Sequence, residues 1–208
     1  MSHVFAPAPP RGHYDRQQLR EERVVEQRDR LLTATALVFG SEATPTITAV
    51  VNLARVSRNT FYEYFDDLTH ARLVAVSRAK QGVAHALLRV ETSARTPVER
   101  RRALARAWFD WIGSEPADAA LILQATTGAL SEAGAAFGTA LRRSLADARA
   151  LGMGIVTLER SVVMAVAATA EAFGRELTGT RIESEAKERV GRDVLERTLV
   201  EVSLRVLR

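Results

Sequence analysis

Residues 57–64, "SRNTFYEY", bring hydrogen-bonding side chains together in about two helical turns. Arg58 carries a planar fork of N–H donors suited to bidentate contact with phosphate or a guanine edge. Asn59 offers donors and an acceptor, and Thr60, Tyr62 and Tyr64 offer hydroxyls. Aromatic residues are 6% of the chain, so Phe61, Tyr62, Tyr64 and Phe65 are crowded beyond what a core alone requires. Helical spacing sorts them. Phe61 and Phe65, four apart, fall on one face and point inward. Arg58 and Tyr62 share an exposed face, with Asn59 and Glu63 beside them. On this reading the phenylalanines anchor the helix, and Arg58, Asn59, Tyr62 and Tyr64 are presented to a partner. A three-helix core with incidental surface tyrosines has the same spacing.

These residues need a short helix held at a fixed angle. Ser57 is an N-cap that opens a helix through about Tyr64. Thr46 is an N-cap for another, to about Ala54, with Ile47, Val50, Val51 and Ala54 inward and Thr48 and Asn52 outward. Two short helices joined by three or four residues form a helix-turn-helix. Before them, residues 17–40 repeat apolar positions at helical spacing: Val25, Leu32, Ala36 and Phe39, widened by Leu31 and Val38. Residues 1–16 hold three prolines without periodicity and read as a disordered tail. The helix-turn-helix unit therefore spans 17–67, and a second domain spans 68–208.

That second domain reads as helices over about 68–90, 97–113, 116–133, 136–150, 155–177 and 184–207, with Pro97 in a first-turn position. No strand-like alternation bounded by turn residues occurs, so the fold class is all-α. From Ser161 to Phe173 the chain is apolar or small on almost every side, and such a helix must be covered all round. Leu195, Leu199, Val202 and Val206 form a wide stripe on the last helix. Val163 and Ala168 with that stripe predict a homodimer interface; a closed single-chain bundle is the competing expectation. Glu171 interrupts the most apolar helix and pairs most simply with Arg175, four residues on.

Net charge is +4, from 29 basic and 25 acidic residues, which permits a nucleic-acid partner without demanding one. The chain has no cysteine, which excludes disulfides, thiolate metal sites and a cysteine nucleophile. His3, His13, His70 and His85 have no metal-ligand spacing, and no phosphate-cradling glycine loop or nucleophile motif is present, so neither enzyme chemistry nor a cofactor is expected. No apolar run reaches the ~18 residues of a membrane span, and no signal-peptide core is seen. A cytoplasmic protein is the expectation.

The stretch "LLTATALVF" and the following "TITAVVNLARVSRNTFYEYF" resemble the first three helices of the TetR family of bacterial transcription regulators. Ala54, Val56, Ser57, Thr60, Phe61, Tyr62, Tyr64 and Phe65 fall on the family pattern. Arg55 stands where the turn glycine is usual, Ala43 where a glycine usually follows the first helix, and Val51 where an alanine is usual. Leu68, flanked by Asp66 and Asp67, replaces a lysine that commonly supports a phosphate contact. The remaining 130 or so residues match the family only in length and all-helical character.

The resemblance implies a homodimer that binds double-stranded, pseudo-palindromic operator DNA and leaves it when a small-molecule effector binds the second domain. Helix 58–64 would then enter the major groove, with Arg58 on a guanine edge and Asn59 on adenine or phosphate. Thr60, Tyr62 and Tyr64 would position the backbone, and Thr46 would bring helix-start amides to a phosphate. Trp108, Trp111, Leu123, Gln124, Phe137 and Met164 are the candidate effector pocket, although an aromatic helix stripe also serves as plain core. Two other readings stay open: an architectural DNA-binding protein without effector, and an all-helical enzyme. A buried cavity within 97–175 favours a sensor, and a filled core favours the architectural protein.

Overall fold

The computed structural model describes residues 11–41, 44–90, 96–123, 130–150, 160–179 and 185–206, and among these the regular structure is helical throughout. The helices are α1 Arg11–Ser41, α2 Ile47–Ala54, α3 Arg58–Tyr64, α4 Leu68–Leu88, α5 Pro97–Ser114, α6 Pro116–Ile122, α7 Glu132–Ala150, α8 Arg160–Gly179 and α9 Glu185–Val206. The all-α expectation holds. The tail boundary does not: α1 begins at Arg11, so residues 11–16 are helical, and 1–10 lie outside the described residues. Residues 21–26 are exposed, and Val25, expected inward, is 68% exposed.

The head forms where the second half of α1 meets α2 and α3. Leu31, Leu32 and Val38 are buried there, as are Val50, Val51, Ala54, Phe61 and Phe65. From the head, α4 runs into the body along Ala71, Ala75, Ala79, Val83 and Leu87, buried at a strict spacing of four. Small side chains on that row let α1, α5, α6 and α7 all lie close against it. The start of α5 is fixed by a capping box between Thr96 and Glu99, with proline in the first turn.

Three contacts define how the body closes. The Glu171 carboxylate, buried on α8, accepts the Ser131 N–H at 2.9 Å and pairs with Arg175 as expected. Ser131 in turn caps α7 through the Gly134 N–H at 3.1 Å. Glu171 therefore clips the start of α7 onto α8. At the other end Arg101 of α5 donates to the Ser203 carbonyl of α9 at 3.3 Å, and burial pulls its guanidinium pKa below the ordinary arginine value. The third contact joins head to body. Arg78 of α4 donates to Asp29 of α1 at 2.8 Å, to Thr33 at 3.2 Å and to Asp118 of α6 at 2.5 Å. Beside this clasp, a Cβ on Gly40 would lie 3.0 Å from that of Ala120, so α1 and α6 approach too closely there for larger residues.

Candidate nucleic-acid interface

Local capping chemistry positions α2 and α3. Thr46 Oγ1 accepts the Ala49 N–H at 3.1 Å, and Ser57 Oγ accepts the Thr60 N–H at 3.0 Å. Each cap satisfies one of the orphan donors of a helix start. Between the helices Arg55 closes the turn at φ 55, ψ 47, with its N–H on the Asn52 and Val51 carbonyls. A left-handed residue is required there, and it is the one positive-φ non-glycine among the described residues. A side chain with a Cβ strains that position.

The spacing argument for α3 is met on both faces. Phe61 and Phe65 are buried, with ring centroids 5.5 Å apart. Arg58, Asn59, Glu63 and Tyr62 are exposed, and Tyr62 stands edge-on against Phe61. Thr46 and Ser57 are exposed at their helix starts. Thr60 is half-buried, its hydroxyl 2.9 Å from that of Ser57. Tyr64 departs from the expectation. It is half-buried, and its hydroxyl reaches back to the Val24 carbonyl and Gln27 Oε1 of α1, at 3.2 and 3.3 Å. It holds α1 against α3 instead of facing outward.

The entrance to α4 is built differently from a lysine-bearing one. Asp67 caps α4 by accepting the His70 N–H at 2.7 Å, and the Asp66 N–H donates to His70 Nδ1 at 3.2 Å. Leu68, at the family's lysine position, packs against the core. Position 43 lies outside the described residues.

The expected effector pocket is a filled core. Trp108, Trp111, Leu123 and Phe137 are all buried, with the Trp108 ring 5.9 Å from Trp111 and 5.3 Å from Phe137. The Trp108 indole N–H donates to the Ala170 carbonyl at 3.1 Å. A Cβ on Gly174 would come within 3.3 Å of Ile112, Trp108 and Leu123, so no ligand-sized gap separates α5 from α8 there. Met164 is not part of this cluster: it is 40% exposed on the outer face of α8. Gln124 lies outside the described residues.

The residues expected at the interface between copies divide similarly. Val163 and Leu199 are buried within their own chain, while Leu195 and Val202 are half-buried. The α8 helix is covered on one side only. Met164, Ala165, Ala168 and Ala172 remain exposed, and Val194 of α9 is 54% exposed. The Val206 side chain lies outside the described ones. Pattern reading found the apolar helix but could not tell which of its sides the chain covers itself. It also missed the Arg78 clasp, whose partners lie 49 and 40 positions away, because a lone arginine on a helix carries no local signal.

A capped helix-turn-helix head, tied by α1 and α4 to a helical body with one bare apolar face, defines the class: an all-helical two-part protein of the helix-turn-helix type. Comparison with solved structures agrees. The chain is similar to a TetR-like transcriptional regulator from Rhodococcus sp. RHA1, at 18% identity and a TM-score of 0.61, covering 86% of this chain and 95% of that one. It is similar to a TetR-family member from Streptomyces coelicolor A3, at 22% identity and 0.53, covering 82% and 89%. It is also similar to the fatty acid degradation regulator FadR from Bacillus halodurans, at 13% identity and 0.58, covering 83% and 97%. No family model and no curated protein matches the sequence. The chain has the fold of the TetR-type transcriptional regulators. No helix among the described residues is long and apolar enough to cross a membrane.

Proposed function

We propose that the chain is a TetR-family regulator of transcription that binds operator DNA as a homodimer, with α3 in the major groove. One observation carries this reading. Arg58, Asn59 and Tyr62 stand exposed on a helix whose pose is fixed by two N-caps and two buried phenylalanines. Direct readout requires that combination of free donors on a rigid support. Arg58 is the base reader and Tyr62 positions the backbone. Thr46 brings first-turn amides of α2 to a phosphate. Ser57 and Thr60 serve the helix start, and Tyr64 acts through α1. Leu68, where the family carries lysine, and the flanking Asp66 and Asp67 weaken attraction to the phosphates.

The second copy covers the bare face of α8. An unaccompanied monomer would leave Met164, Ala165, Ala168 and Ala172 in water, and alanines there let the partner helix come close. Ala168→Glu should give single-chain mass in ultracentrifugation with unchanged helicity. A wild-type monomer at micromolar concentration would refute the dimer.

The regulatory part of the reading is repression relieved by a small molecule, the effector's identity being open. The filled core around Trp108 favours the rival, an architectural DNA-binding protein without effector, as far as the body interior is concerned. Both readings share the DNA test, a titration against an operator selected from random sequence and its single-base variants. Arg58→Ala should cost roughly 1–3 kcal/mol on the preferred site and relax preference at one base pair. Tyr62→Phe should weaken all sequences alike, by less. If Arg58→Ala leaves both affinity and preference unchanged, α3 is not the reader.

A further inference from the structure

Arg55 closes the turn between α2 and α3 in the left-handed conformation, and it is exposed. Glycine takes that conformation freely, and asparagine and aspartate tolerate it better than other residues. A side chain kept there under strain is a pointer to a working site. Nothing inside the chain compensates for the strain at Arg55. Among the described residues no ion pair or side-chain hydrogen bond engages its guanidinium. Ala54 before it is buried, and Val56 after it packs against the core, so the turn is anchored on both sides and residue 55 faces solvent. Consecutive Cα atoms are 3.8 Å apart, so the Arg55 Cα lies within about 8 Å of that of Ser57. Ser57 caps the start of α3, the end that carries Arg58 and Asn59. A helix lying in the major groove, about 12 Å wide, is flanked by phosphates on both walls. An arginine rooted so close to the helix start reaches one of those walls.

The charge of the head points the same way. Between Thr46 and Leu68 the basic residues are Arg55 and Arg58, and the acidic ones are Glu63, Asp66 and Asp67. Asp66 pairs with His70, and Asp67 caps α4. Arg58 is the base reader in the function proposed above, and the family's lysine position holds Leu68. Arg55 is then the one cation of this segment left to neutralise a phosphate. We propose that Arg55 is a phosphate-binding residue, whose guanidinium fork ties the start of α3 to the backbone of duplex DNA while Arg58 reads the base. The inference rests on the DNA-binding reading and adds to it a contact that a glycine at the turn could not make. It also gives the strain at the turn a use, because relaxing residue 55 to glycine would remove the charge with it.

The test is a fluorescence-anisotropy titration of the full chain against an operator selected from random sequence, repeated at several salt concentrations. Arg55→Gly and Arg55→Asn both remove the charge and both suit the left-handed turn, so thermal melting should find them folded at least as well as wild type. Each should nevertheless bind roughly tenfold more weakly at low salt, by the same factor on the operator and on its single-base variants. Losing one phosphate contact from each of two copies should also flatten the slope of log affinity against log salt by about 1.8. Arg55→Lys keeps the charge and should retain most of the wild-type slope. A purely structural turn would move melting alone and leave the slope in place. Arg55→Gly with wild-type affinity and slope overturns the proposal while Arg58 keeps its role. A loss confined to one base pair also overturns it, since Arg55 would then read a base. Wild-type protein that selects no duplex overturns the DNA-binding reading, and the proposal with it.

Discussion

Gly134→Ala tests the Glu171 clip in a way that opposes the usual expectation for a helical glycine. A Cβ at 134 would fall on the Glu171 carboxylate, with the carboxyl carbon 3.2 Å away and the Glu171 Cβ at 3.4 Å. The carboxylate has no free direction, since Ser131 N–H and Arg175 hold its two oxygens and the side chain is buried. Displacing it strips a buried charge of its hydrogen bonds, at a cost of about 3 kcal/mol. Helix propensity returns ~1 kcal/mol. The net loss of about 2 kcal/mol corresponds to a fall of roughly 4–8 °C in Tm for a chain of this size. Gly191, with nothing within 4 Å of a Cβ, is the control, and Gly191→Ala should raise Tm. The assay is thermal and urea unfolding followed by circular dichroism. The double variant Gly134→Ala, Glu171→Ala should lose less than the sum of the single ones, because the clash disappears with the carboxylate. A Gly134→Ala protein as stable as wild type would show that the clip does not hold α7, and the reasoning fails.

Other substitutions probe the head and the two terminal helices. Phe61→Ala should destabilise the head by about 3–5 kcal/mol, read as a lower urea midpoint, since it truncates a fully buried aromatic; a midpoint shift below a third of that would mean that α3 is held by its caps alone. Arg55→Gly should raise head stability slightly, because relief of the left-handed strain (~1 kcal/mol) exceeds the added freedom of the unfolded chain (~0.5 kcal/mol); a lower melting point contradicts this. Leu199→Glu should lower Tm at every protein concentration, since Leu199 is buried within its own chain; a variant that only dissociates, with its melting unaltered, would return that residue to the interface between copies.

What could be read from the sequence was what is decided locally. The ends of α2 and α3 were legible because Thr46 and Ser57 cap them within three residues. The two faces of α3 were legible because Phe61 and Phe65 repeat at a helical spacing. Helix α6 was read too long, to about Ala133, yet it ends at Ile122. The start of α7 is settled at Ser131 by Glu171, forty positions away, which no window of sequence contains. Tyr64 was read as outward because a tyrosine's surroundings depend on a helix distant in the chain, here Val24 and Gln27. The tryptophans illustrate the opposite error. Their spacing was visible, but whether the space beside them is open depends on Gly174, which lets α8 close onto them.

The approach of Gly40 to Ala120 has a mechanical consequence. These two small residues act as the fulcrum on which the head rests against the body, and a few tenths of an ångström inserted there would have to be taken up by rotation of one part against the other. A lever magnifies its displacement with distance from the fulcrum, and α3 belongs to the head that would turn. In the proposed dimer the tilt would enter twice, once for each copy, whereas DNA tolerates little change in half-site separation. The smallest residue type thus stands where the leverage on the proposed reading heads would be set.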